Sequence, residues 1–395
     1  MLLIRPIPFP DESLESYIMR LADSNGYIKA NRFWSVIRRT VDHSNLKHFN
    51  IPDKLGSINP YLAKRSSSLR IKALQYLSSL SNQEPLPLLA LSIFRNANSY
   101  SLNAQSVIQN GKTLPRQFVK TTPGVCSDCL KESNYIRQIW SFWPYEYCHK
   151  HKKPLINICS CGEDIFVYKD TVIGVCQHCN ISYSELDNVG KNEHNLIISD
   201  WLGSIENHCL PDVNQSHKYG LVFWWLKLHK LDLSSFKGDE FVLFFSNWPN
   251  SFHTFLENKW TYFVEYGTKP VGEAKFKDIF DDLLIISSKL PSSRFSENII
   301  LPEVYRFFNE NVLSNNNEFL SLRINSIEAA ILLNTSTEQI AALVNLGELK
   351  SFIRVKSDEC LSLNQYAFEL GDLFFLWQAG FQTEYSNLSV LTSRW

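Results

Sequence analysis

Seven cysteines crowd residues 126–179 of a 395-residue chain that holds nine in all. They come in pairs. Cys126 and Cys129 form C-x2-C, and after an 18-residue gap Cys148 and His151 repeat that spacing as C-x2-H. Cys159 and Cys161 then form C-x-C, and Cys176 and Cys179 a second C-x2-C. Spacings this short let one turn present two ligands to one ion, and two turns complete a tetrahedron. Taken in chain order, the first set is Cys126, Cys129, Cys148 and His151, and the second is Cys159, Cys161, Cys176 and Cys179.

The setting argues for metal over disulfides. No segment reaches the ~18–20 apolar residues that span a bilayer, and "MLLIRPIPFPDE" has neither the apolar stretch nor the cleavage site of a secretion signal. The chain is therefore expected in the cytoplasm, where thiols stay reduced. Four protein ligands per ion leave no open position, which is the pattern of a structural rather than a catalytic zinc. Two structural zinc ions per chain are expected, each worth about 10–16 kcal/mol of apparent folding free energy. His149 and His178 sit beside ligands and compete with them in principle. His151 reproduces the C-x2-C geometry, whereas His178 is expected to point outward. Cys209 and Cys360 stand alone and read as buried free thiols.

Two helices are expected ahead of this block. In "PDESLESYIMRLADSNG", Leu14, Ile18, Leu21 and Ala22 share a face at helical spacing, with Asp11 as the expected N-cap and Gly26 as the stop. "NRFWSVIRRTV" follows, with Phe33, Ile37 and Val41 on one side and Arg32, Arg38 and Arg39 adding charge. The pair reads either as a helix-turn-helix or as an ordinary helical hairpin. From residue 54 to 72, Lys54, Lys64, Arg65, Arg70 and Lys72 occur without an acidic residue, suiting a phosphate backbone or simply a solvated face. Arg32, Arg38, Arg39, Lys64 and Arg65 are the candidate nucleic-acid or partner contacts. "QEPLPLLALSIFR" reads as a short buried helix.

Beyond a polar linker, "YGLVFWWLKLHK", "FVLFFSNWPNSF" and "KWTYFVEYG" read as the core of a mostly helical domain. A second helix-turn-helix-like segment is "NSIEAAILLNTSTEQIAALVNLGELKSFIRV". In it Asn334 ends one helix, a Thr335-x-x-Glu338 capping box starts the next, Gly347 ends that, and a strand or wing follows. Its second helix carries no Lys or Arg, which favours packing or protein contact over groove reading. The fold class is mainly α with small zinc-ribbon β elements. Three segments are expected: 1–114, helical with the helix-turn-helix; 115–185, the tandem zinc motifs; and 186–395, mainly helical. A formal net charge of −1 gives no whole-protein field toward nucleic acid. Carboxylates such as Asp281 and Asp282 form no evident acidic triad or open metal site, so a nuclease or hydrolase is disfavoured.

"RPIPFPDESLESYIMRLADSNGY" resembles the opening of TniQ proteins, targeting subunits of transposons related to TnsD, and "CSDCLKESNYIRQIWSFWPYEYCHKHKKPLINICSCG" is similar to their zinc block. "YGLVFWWLKLH", "FFSNWPNSFH", "INSIEAAILLN" and the terminal "SRW" are similar to the subtype found in CRISPR-associated transposons with a type I-F Cascade. The resemblance implies a non-enzymatic adaptor. Such a protein forms a head-to-tail homodimer and docks on guide-RNA-loaded Cascade at the endonuclease-derived subunit holding the guide hairpin and at a neighbouring backbone subunit. It links target recognition to the AAA+ regulator TnsC and the transposase, and it meets target DNA mainly through Cascade. The alternative is a TnsD-type selector that binds a fixed DNA site without CRISPR components.

Overall fold

The computed structural model describes residues 2–43, 51–52, 54–63, 67–101, 104–168, 172–187, 190, 192–205, 208–291, 297–313, 317–353 and 362–382. Of the expected contact residues, Lys64 and Arg65 lie outside these, as do Cys360, the end of the expected wing and the terminal "SRW". The chain divides into two compact units, one of Met1–Gly220 with Lys237–Val242, the other of Leu221–Phe236 with Leu243–Trp395. No helix among the described residues is long and apolar enough to cross a membrane.

In the first unit, α1 (Leu14–Ser24) and α2 (Ala30–His43) are the two expected helices. Leu14, Ile18, Leu21 and Ala22 are fully buried, as their spacing predicts, and Phe33 and Ile37 are buried on α2. The cap differs from expectation. Ser13, not Asp11, is the N-cap, and its side chain accepts from the Ser16 N–H. Asp11 is drawn instead to the zinc block, where it accepts from the Tyr135 hydroxyl at 2.7 Å and pairs with Arg137 at 3.2 Å. A long-range ion pair here overrides a local capping preference.

Next come α3 (Ser68–Ser81) and α4 (Pro85–Ala90). Arg70 is buried, donating to the Ser57 carbonyl and, at 3.0 Å, to that of Ile58. It is thus a strut, whereas Lys54 and Lys72 of the same basic stretch are exposed. The helix expected across 83–95 stops at Ala90. There the chain enters an antiparallel sheet of β1 (Ile93–Ser101), β2 (Ala104–Gln109) and β3 (Lys112–Pro115), in that order. The β2–β3 turn is Asn110-Gly111, both at positive φ (46° and 77°), with Gln109 facing Lys112. That two-residue turn matches the twist of a hairpin, and only such residues enter it without strain.

A buried carboxylate ties these parts together. Glu15 accepts from Asn59 Nδ2 at 2.7 Å, and Asn59 Oδ1 accepts from the Ile93 N–H at 2.7 Å. Burial pushes the Glu15 carboxyl up to about 7. A folded pKa above the unfolded 4.5 means that stability present below pH 4.5 is lost as pH rises through 7. Glu15→Gln keeps the acceptor for Asn59 and removes the ionisation. Thermal melts should show this variant near wild type at pH 5 and more stable at pH 8, by up to about 3 kcal/mol; equal melting temperatures at pH 8 would contradict it.

The unit continues through α5 (Ser127–Glu132) and α6 (Glu193–Leu202) into the first part of α7 (Gln215–Leu228), and includes the start of α8 (Gly238–Ser246). Cys209 is exposed rather than buried as expected.

The second unit holds the rest of α7 and α8, then α9 (Asn250–Tyr266), α10 (Phe276–Phe280), α11 (Leu283–Ser288) and α12 (Leu301–Leu313). After them come β4 (Arg323–Asn325), α13 (Ser326–Leu332), α14 (Thr337–Asn345), β5 (Tyr366–Glu369) and α15 (Leu370–Gln382). The first two aromatic runs form its core, as expected, with Trp224 meeting the rings of Phe244, Phe245, Trp248 and Phe252 at 5.6–6.4 Å, whereas in "KWTYFVEYG" Trp260 is buried and Tyr262 and Tyr266 are exposed. In the second helix pair, Asn334 (φ 47°) and Gly347 (φ 74°) end α13 and α14 as predicted. The cap of α14 is Ser336, accepting from the Gln339 N–H, one residue later than the expected Thr335. The capping box belongs to α13, where Asn325 and Glu328 bond reciprocally. No strand forms in the described residues 349–353; the strand beside α13 is β5, paired antiparallel with β4.

Candidate metal centres

The described residues of 126–179 hold few helical turns and no long strand, so their shape rests on turns around the cysteines. Cys126 caps α5, which carries Cys129 one turn on, with the Leu130 N–H bonded to the Cys126 carbonyl at 3.1 Å. The second pair sits on a hairpin-like knuckle. The Lys152 N–H reaches the Cys148 carbonyl at 2.7 Å, and the Cys148 N–H reaches the Lys153 carbonyl at 2.8 Å. Lys152, at the corner, has φ 56°. The Cys176 knuckle repeats this with Asn180 (φ 62°), and the Cys159 knuckle closes through Gly162 (φ 88°).

These turns bring together both predicted sets, whose ligand atoms lie within 4.8 Å of one another in each cluster. In the first, Sγ of Cys129 is 3.5 Å from Sγ of Cys148, and His151 Nδ1 stands 3.5, 3.3 and 3.6 Å from the sulfurs of Cys126, Cys129 and Cys148. In the second, Cys159–Cys179 and Cys161–Cys176 are 3.6 and 3.8 Å apart. A disulfide would need about 2.05 Å, whereas sulfurs about 2.3 Å from one tetrahedral zinc lie about 3.8 Å from each other. The donor sets fit zinc, so both clusters can hold a metal ion.

Two histidines are placed by their neighbours. His149 Nδ1 meets the buried Tyr145 hydroxyl at 2.8 Å, and that hydroxyl accepts from the His149 N–H at 3.0 Å. A Cβ added at Gly203 would come within 2.5 Å of the same ring, so α6 ends against it only through a glycine. His151 faces the cluster with Nδ1, while its Nε2 bonds Glu132 Oε1 at 2.8 Å. Such an outer partner fixes the ring orientation and tautomer of a ligating histidine. Spacing did not single out Glu132; its one signal is its place three residues after Cys129, on the turn that follows the ligand. His178 is exposed, as expected, and lines a concavity of about 340 Å³ with Glu163, Asp164, Phe166 and Tyr183.

The aromatic spacer "YIRQIWSFWPYEY" packs beside the first cluster, with Ile136, Trp140 and Tyr145 fully buried. Cys126, Cys129 and Cys148 are buried with it, whereas Cys161 of the second cluster is exposed. Of the basic candidates, Arg32 and Arg39 of α2 reach solvent and Arg38 is half-buried with a partner of its own. Asp281, a candidate for an enzymatic reading, is clamped by Lys230 and Lys259, each at 2.8 Å. Burial raises its carboxyl, but the two ammonium groups outweigh that and hold it below the usual range.

Two thiolate-rich clusters on short knuckles thus follow the N-terminal helices, each able to hold a metal ion. Residues 3–155 match the model of the TniQ family. The chain carries a TniQ domain over those residues. No curated protein matches the chain.

Proposed function

We propose that this chain is the targeting adaptor of an RNA-guided transposon. In this reading it binds a type I-F Cascade with its guide RNA as a head-to-tail homodimer. It then passes the located site to TnsC and the transposase. Residues 115–185 are its stapled middle, with two structural zinc ions on the eight ligands named above, between a helical segment 1–114 and a mainly helical segment 186–395.

The surface of α14 carries the preference for an adaptor over a direct DNA reader. Its exposed positions, with Leu346 just beyond, are Glu338, Ala341 and Asn345. A helix that reads a groove brings cations to the phosphates, and this one brings none. Near-neutral charge likewise suits a protein that leaves sequence reading to base pairing. The TnsD-type alternative draws on Arg32, Arg38 and Arg39 of α2, of which Arg32 and Arg39 are exposed.

Co-expression with the subunits of a type I-F Cascade and its guide RNA separates the two. The chain should co-purify with the complex, and alone it should leave a labelled target duplex unshifted at physiological salt. A salt-dependent shift by the chain alone, without co-purification, would establish the alternative instead.

A further inference from the structure

The two clusters differ in what guards their sulfurs. In the first, Cys126, Cys129 and Cys148 are at most 1% exposed, and the fourth ligand is a histidine. In the second, Cys161 is exposed and Cys179 half-buried, while Cys159 and Cys176 are buried. Cys176 also borders the concavity that His178 and Tyr183 line. The second cluster thus has one sulfur in solvent and a hollow beside another.

Charge adds to this difference. A ligating thiol is deprotonated outright. A zinc ion of charge +2 with three thiolates and a neutral histidine therefore nets −1, and with four thiolates −2. The thiolate is the form that attacks oxidants, and susceptibility follows thiolate character and exposure. Both rank the second cluster above the first.

We infer that the second cluster is a modification site for hydroperoxides, at which Cys161 is oxidised first and Cys176 closes a disulfide with it, releasing the zinc. Their sulfurs are 3.8 Å apart. The Cys161 thiolate attacks one oxygen of hydrogen peroxide, the O–O bond breaks, hydroxide leaves and a sulfenic acid forms on Cys161. The Cys176 thiolate then attacks that sulfur, an S–S bond of about 2.05 Å forms, and a second hydroxide leaves. The two sulfurs give up two electrons, the peroxide oxygens take them, and two solvent protons turn the hydroxides into water. With two of its four donors tied in a disulfide, the zinc ion passes to solvent.

The structure limits how far the change spreads. The Cys176 knuckle seats the buried Tyr183, whose N–H bonds the Gly174 carbonyl at 2.7 Å, and Asn134, just after α5, donates to the Ile173 carbonyl at 3.2 Å. Oxidation loosens that seat and leaves the buried first cluster in place. One staple is redox-labile and the other is not.

The inference rests on the reading of two structural zinc ions, and the test separates the two. Full-length protein of known zinc content is treated with hydrogen peroxide while a colorimetric chelator follows the metal. Thiols are then alkylated and mapped by mass spectrometry. One zinc per chain should leave about 10-fold faster than the other, with a Cys161–Cys176 disulfide and with Cys126, Cys129 and Cys148 still alkylated. Dithiothreitol with added zinc should restore the count. Cys209 is exposed too but lies in neither cluster, so its oxidation releases no zinc. Cys176→Ser, expected to keep only the first zinc, should release it at the slow rate. Several results would overturn the inference and leave the two-zinc reading intact: both ions leaving at one rate, the first cluster emptying first, a disulfide that omits Cys161, fast release from Cys176→Ser, or no release once Cys209 is oxidised. Fewer than two zinc ions before peroxide would overturn that reading, and the inference with it.

Discussion

Cys129→Ser is expected to halve the zinc bound per chain, from two to one by elemental analysis, and to unfold much of the first unit. Cys129 is fully buried, and its sulfur lies within 3.5 Å of both Cys148 Sγ and His151 Nδ1. A serine hydroxyl is a poor zinc ligand, so the remaining thiolates and the histidine would be left as uncompensated polar groups. Around them stand Ile136, Trp140 and Tyr145, fully buried residues from a stretch with little regular secondary structure of its own. Structural zinc contributes about 10–16 kcal/mol in small modules, as much as the ~5–15 kcal/mol by which a whole domain is typically stable. Lost near-ultraviolet dichroism and protease cleavage near residues 126–156 would report the effect. Cys176→Ser should also lose one zinc but melt less of the chain, because the second cluster is edged by the exposed Cys161 and fewer buried rings. A wild-type count of one zinc or none would break the ligand assignment itself.

Trp224→Ala should be the most damaging single change in the second unit, by about 3–5 kcal/mol for the ring alone. Trp224 is 1% exposed and is the hub of four aromatic contacts, the closest with Phe252 at 5.6 Å. Its Nε1–H also donates to Ser287 Oγ at 2.9 Å, and Ser287 is itself fully buried. Truncation therefore leaves both a cavity and an unpaired hydroxyl, and the second adds about 1–3 kcal/mol. Trp224→Phe separates the two contributions: it retains most of the packing and loses the hydrogen bond, so urea unfolding should place it between wild type and the alanine variant. Similar midpoints for the alanine variant and wild type would show that the aromatic cluster is not the core that holds this unit.

The limits of reading the chain are visible in particular residues. The helical face of α1 is legible because four apolar residues at a 3.6-residue period admit one reading. Its cap is not, because Asp11 and Ser13 are both good caps, and the choice turned on Tyr135 and Arg137, more than a hundred residues away. The sheet from Ile93 to Pro115 carried one strong local signal, Asn110-Gly111, but strands rich in Ser, Asn and Gln lack the alternation that announces them. The shift from Thr335 to Ser336 at α14 is a one-residue choice between equivalent hydroxyls.

The sequence by itself determined the metal sets. Pairs spaced two or three residues apart, in a chain with few other cysteines, dictate which turns can hold ligands, since a turn's reach is set by local backbone geometry alone. Tertiary structure decided what depends on distant neighbours. It gave His149 to Tyr145, turned Arg70 inward, and left Cys209 in solvent. It also left two tyrosines of α9 uncovered, although aromatic periodicity made them look like core. Burial is a property of what packs against a residue, and no local pattern carries that information.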